Sequence, residues 1–142
     1  RIPEYKGHNT ISHAILNNEK NIWGSIHKMK KKVDAAVIIK EIKVKHNLFN
    51  VREIEKKLSL LFLKSLLIIF KNIFNKKKIT ILQRRNVKEK FYRKNQIFKE
   101  KEITKFSEIP LKLKACNIDN YEPAYIKVKG KKYYLFENDN WD

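Results

Sequence analysis

The sequence predicts an α+β fold, mostly helical, in which two or three helices surround a central apolar helix at about 51–75. A C-terminal β-hairpin at about 124–136 and extended basic ends complete it. Three observations carry this expectation. The first is the run from Asn50 to Asn75, where Asn50 can cap a helix and Glu53, three residues on, can reach back to the cap's amide. Apolar residues then recur at helical spacing through Ile54, Leu58, Leu61, Phe62, Leu66, Ile69 and Ile73. The second is the alternation around Gly130, between Ala124 and Phe136. The third is Pro3 and Gly7 in a polar N-terminal stretch, which argues against regular structure there.

Within the central helix a second apolar set, Leu60, Leu63, Leu67, Phe70 and Phe74, lies on other faces, and Lys57, Lys64 and Lys71 form a narrow stripe spaced by seven. So wide an apolar surface implies cover on most sides. The densest part, Leu58 to Phe74, is short for a bilayer span and holds Lys64 near its middle, which makes a membrane partner the poorer reading.

Three segments follow: an extended one over 1–10, a helical basic core over 11–106, and a linker with hairpin and acidic tail over 107–142. Residues 11–46 read as helix, in one or two pieces, from the spacing of Ile22, Trp23, Ile26, Met29 and Val33. The run Val37 to Val44 also alternates like a strand, and helix is the preferred reading. Ile79 to Gln83 is a short strand candidate. Pro110 is expected to stop any helix in 107–120. In the hairpin, Gly130-Lys131 is expected to form a type II′ turn, with Ile126 and Val128 on one face.

The chain has 142 residues and a net charge of +18, with 28 lysines and 5 arginines. Such an excess opposes compaction unless a polyanion neutralises it, and nucleic acid is the commonest such partner. Residues 84–106 hold nine Lys or Arg against three Glu, interleaved with Phe91, Tyr92, Phe98 and Phe106. Arginine forks suit phosphate and aromatic faces suit unpaired bases. The expected RNA-binding residues are therefore Lys28, Lys30, Lys31 and Lys32; Lys76, Lys77 and Lys78; and Arg84, Arg85, Lys88, Lys90, Arg93 and Lys94. The triplet at 76–78 also suits the negative end of the helix dipole.

Catalytic signals are sparse. His8, His13, His27 and His46 form no metal-ligand pair, Gly7, Gly24 and Gly130 make no phosphate loop, and Cys116 has no identifiable base. No catalytic residue, metal or cofactor is expected. A lone cysteine excludes a disulfide framework and fits a reducing compartment or an organelle matrix.

In overall character the chain resembles proteins of organellar ribosomes, particularly mitochondrial ones: a basic N-terminal tail, a small core, basic stretches with embedded aromatics, and an acidic, aromatic end. Gly7 to Ala14 is similar to a segment of one bacterial large-subunit ribosomal protein family, and no residue is carried over from it. The resemblance implies a non-enzymatic structural component of a mitochondrial ribosome, in the matrix. Its partners would be rRNA and neighbouring ribosomal proteins, with no small-molecule substrate. The alternatives are an accessory subunit of an organellar membrane complex and a free nucleic-acid-binding protein.

Overall fold

The computed structural model describes residues 4–28, 37–46, 49–82, 88–118 and 121–137. In chain order its elements are β1 (Tyr5–Gly7), α1 (Thr10–Leu16), β2 (Asn21–Lys28), β3 (Val37–Lys45), α2 (Val51–Phe74), β4 (Lys90–Tyr92), α3 (Gln96–Glu100), a 3₁₀ turn (Phe106–Glu108), α4 (Ile109–Cys116), β5 (Tyr125–Val128) and β6 (Lys131–Tyr134). The strands pair two by two: β1 with β4 in parallel, and β2 with β3 and β5 with β6 antiparallel.

This is a mixed α/β arrangement, and it corrects the mostly helical expectation. The main departure is the predicted helix over 11–46. Among its described residues only Thr10–Leu16 is helical, and β2 and β3 pair antiparallel instead. The reason is a degenerate spacing. Ile22 and Ile26 stand four apart, and a step of four places residues on one face of both a helix and a strand. The β-branched run Val37-Ile38-Ile39, with Ile42 and Val44, favours the strand. Register then puts Ile22 opposite Val44 and Gly24 opposite Ile42, so one face of the hairpin is apolar. That face meets α2. A side chain at Gly24 would run into the ring of Phe62, so the glycine is what lets helix and hairpin approach here.

α2 starts as the sequence predicts. The Asn50 side chain accepts from the Glu53 amide at 3.0 Å, and the Asn50 amide donates to Glu53 Oε2 at 2.8 Å. Such a cap stabilises a helix by about 1 kcal/mol. Val51, Ile54 and Leu58 are buried with Ile15, Ile22, Ile42, Val44, Ile97, Ala115, Cys116 and Ala124 in one core. The helix ends on Lys76 in the left-handed region (φ 54°), with the Lys76 amide donating to the Ile73 carbonyl and the Lys77 amide to that of Asn72.

Three smaller corrections follow. The N-terminal segment expected to be extended and irregular pairs as β1 with β4, 83 or more residues away in the sequence. Pro110 does not stop a helix: it sits in the first turn of α4, where its missing amide proton costs nothing. The C-terminal turn is formed by Lys129 and Gly130, both at positive φ (47° and 78°), which is a type I′ turn one residue earlier than expected. Ile126 faces Tyr133 and Tyr125 faces Tyr134 across it. The hairpin joins the body through Tyr125, whose amide donates to the Lys101 carbonyl at 3.0 Å and whose carbonyl accepts from Ile103 at 2.8 Å. Lys101 itself is buried, its ammonium donating to the Glu122 carbonyl between the rings of Phe98 and Tyr121, and burial lowers its pKa.

Candidate small-molecule cleft

β1 pairs in parallel with β4, and its residues face the start of β2 across a shared cleft. The cleft measures about 330 Å³, at the lower end of the range typical of small-molecule sites. Its walls are β1, the inner face of α1 and one stretch of β2 from Asn21 to Ser25. Glu4, Lys6, Glu19, Asn21 and Ser25 provide charged and polar groups, while Ile11, Ala14 and Trp23 provide apolar surface. Ser25 Oγ is buried and meets no hydrogen-bond partner in the protein.

One rim is held by a polar network. Tyr5 donates through its hydroxyl to Glu19 Oε1 at 2.9 Å, and Asn17 donates through Nδ2 to the hydroxyls of Tyr5 (2.9 Å) and Tyr92 (3.3 Å). The rings of Tyr5 and Tyr92 stack with centroids 5.6 Å apart, and the His13 ring stacks on Tyr92 with centroids 4.0 Å apart. Burial, reinforced by the Glu19 carboxylate, pushes the Tyr5 phenol up to about 12. Burial also lowers the pKa of His13, which favours a neutral imidazole. Lys6 is ion-paired with Glu89 at 2.9 Å, tying β1 to the segment before β4.

Among the described residues, those expected to bind RNA do not line this cleft. Lys28 is exposed at the end of β2, Lys76, Lys77 and Lys78 are exposed just past α2, and Lys88, Lys90, Arg93 and Lys94 are exposed around β4. Lys30, Lys31, Lys32, Arg84 and Arg85 lie outside the described residues. The residues that do line the cleft were missed, because nothing local in the sequence announces that Tyr5 pairs beside Tyr92. Among the described residues no cluster of His, Cys, Asp and Glu could hold a metal, and no helix is long and apolar enough to cross a membrane. Cys116 is buried, with its thiol pushed up to about 11 by desolvation, so it is a packed residue without thiolate character at neutral pH.

No protein-family model matches this sequence, and no curated protein does. Solved structures do match. A 4-N formyltransferase from Francisella tularensis superposes with a TM-score of 0.71 at 22% identity, over 96% of this chain and 58% of its own. An N-formyltransferase from Helicobacter canadensis, in complex with folinic acid and dTDP-3-aminofucose, gives 0.67 at 22% identity, over 92% of this chain and 49% of its own. HypX from Aquifex aeolicus, in complex with tetrahydrofolic acid, gives 0.74 at 16% identity, over 95% of this chain and 24% of its own. The fold is thus a formyltransferase-like α/β fold, and the chain spans between a quarter and three-fifths of the length of these proteins.

This likeness overturns the ribosomal reading and both alternatives. Two of the three neighbours are formyltransferases, that is enzymes, against the expected non-enzymatic role. Two of the three are seen with small molecules, against an expected partner set of rRNA and ribosomal proteins without a small-molecule substrate. The physical source of the error is that a lysine excess reports charge alone, and charge bears on solubility and association and not on fold.

Proposed function

We propose that this chain is part of a formyl-transfer enzyme and that the cleft between β1, α1 and β2 takes the heterocyclic end of a reduced, formylated folate. The observation that carries this reading is the superposition on N-formyltransferases over nearly the whole chain. The cleft suits the ligand. A folate's ring edge presents several N–H donors, and the Glu4 and Glu19 carboxylates and the Asn21 side-chain carbonyl are acceptors along the cleft wall. The Trp23 side chain offers an aromatic wall. The protein's part in this account is binding and orientation. In the transfer itself the bond from the formyl carbon to the donor nitrogen breaks and one to the accepting amine forms, and the proton that the amine gives up balances the one taken up by the leaving nitrogen.

Fluorescence tests this. In a Trp141→Phe background, Trp23 is the sole indole. Titration with folinic acid is expected to quench it saturably. Asn21→Ala is expected to weaken binding by about 3- to 10-fold, the worth of one hydrogen bond. Absence of saturable quenching up to about 1 mM folinic acid, a concentration matching weak binding near 4 kcal/mol, would contradict the assignment.

A further inference from the structure

β2 borders the cleft from Asn21 to Ser25, and β3 lies next to it, about 5 Å further away. Ile22 is buried with Val44 and Ile42, so Asn21 and Trp23 belong to the other face of the pair. Register sets Lys45 opposite Asn21 and Lys43 opposite Trp23, and side chains directly opposite in an antiparallel pair stand on the same face. The Lys43 ammonium bears this out, reaching back to 5.7 Å from the centroid of the Trp23 ring. Lys43 and Lys45 thus form a short basic row beside the cleft, and the row gives way to Glu41 opposite Ser25. Both lysines are exposed, and no ion pair among the described residues engages either.

Within the cleft the balance of charge is the reverse. Glu4 and Glu19 line it, and Lys6, the lysine among its lining residues, is already paired with Glu89 at 2.9 Å. A ligand carboxylate is repelled from these two acids and attracted to the row outside. The cleft therefore suits a ligand with N–H donors at one end and carboxylates at the other, held in one orientation.

From this separation of charge and the register of β2 on β3, we infer that Lys43 and Lys45 receive the glutamate tail of the bound folate, so that a γ-linked oligoglutamate form binds in preference to the monoglutamate. The inference rests on the folate reading and adds to it the means by which the tail is held. Two residues along a strand set the lysine Cα atoms about 7 Å apart. That spacing suits a tail whose carboxylates recur once per glutamyl unit. The ammonium groups make the contact, and the β3 amides keep their ladder partners. Each such exposed charge pair contributes no more than a few-fold in affinity.

Isothermal titration calorimetry on the full chain tests this with folinic acid, its γ-linked triglutamate and a reduced pterin without a glutamate tail. The triglutamate is expected to bind about 3- to 10-fold more tightly than folinic acid near 50 mM salt. That advantage should shrink near 500 mM, as the Debye length falls. Lys43→Gln combined with Lys45→Gln should remove the advantage and leave the tail-less pterin bound as before, which a loss of fold would not. Lys77→Gln combined with Lys78→Gln, an equal change of net charge at exposed positions past α2, should preserve it. Binding of folinic acid with no gain from added glutamates would overturn this inference and leave the folate reading standing. A gain lost equally in the Lys77 and Lys78 variant would reduce the effect to bulk charge and overturn the inference too. No binding of folinic acid would overturn both. Binding of inorganic pyrophosphate that needs Lys43 and Lys45, with no effect of added glutamates, would assign the row to phosphate instead.

Discussion

His13 shows how a single side chain can tie distant parts of this molecule. It sits on α1, is buried, and stacks on Tyr92 of β4, which in turn stacks on Tyr5 of β1. Desolvation lowers its pKa, while the negative charge of Glu100 works in the opposite sense and does not cancel it. Because the folded-state value lies below the unfolded one, the unfolded chain binds a proton that the folded chain refuses. Stability from this site is therefore complete above about pH 6.5 and is lost as pH falls through the folded-state value. Denaturant titrations between pH 7.5 and about 4.5 should show this as a steeper acid loss in the native protein than in His13→Phe, which keeps the stack and cannot titrate. Identical slopes for the two proteins would show that the imidazole is not a titrating contributor. None of this was legible from the sequence, where His13 was one of four histidines without a ligand pair. Its partners lie 79 positions downstream and eight upstream, and only the β1–β4 pairing assembles them.

At the scale of elements, legibility followed the strength of local signals. The capping box at Asn50 and Glu53 and 24 residues of helical period placed α2 to within a residue. The C-terminal hairpin was also legible, although two positive-φ residues in succession moved its turn back by one position. The β2–β3 hairpin was misread as helix because apolar residues four apart satisfy both periods, and local propensity alone did not separate them. The decisive residue was Gly24. It weakens either element in isolation, and its reason is tertiary: it leaves room for Phe62. Gly24→Ala should therefore destabilise the protein by about 1–3 kcal/mol through overpacking. Pairing it with Phe62→Leu, which clears the ring, should recover part of the loss. A neutral Gly24→Ala in equilibrium unfolding would mean that α2 and the hairpin do not meet as closely as described.

For the whole molecule, composition pointed the wrong way. A charge of +18 suggested nucleic acid, yet the described lysines among those expected to hold phosphate are spread over the end of β2, the end of α2 and the surroundings of β4, while the cleft forms elsewhere. The formyltransferase-like fold depends on non-local pairings, and these are what single-sequence periodicity does not encode. The apolar outer face of α2 was visible in the sequence as a helix covered on most sides. The structure shows that the core of the described residues covers only one of those sides.

The central claim is that this chain meets a small molecule at the β1–α1–β2 cleft. Hydrogen exchange of the full chain, followed by mass spectrometry with and without folinic acid, tests it most directly. The account predicts slowed exchange confined to peptides spanning Glu4 to Ser25, and no such protection by an RNA oligonucleotide of equal charge. Protection by RNA around Lys76 to Lys78 and Lys88 to Lys94, with none by folinic acid in the cleft, would contradict it.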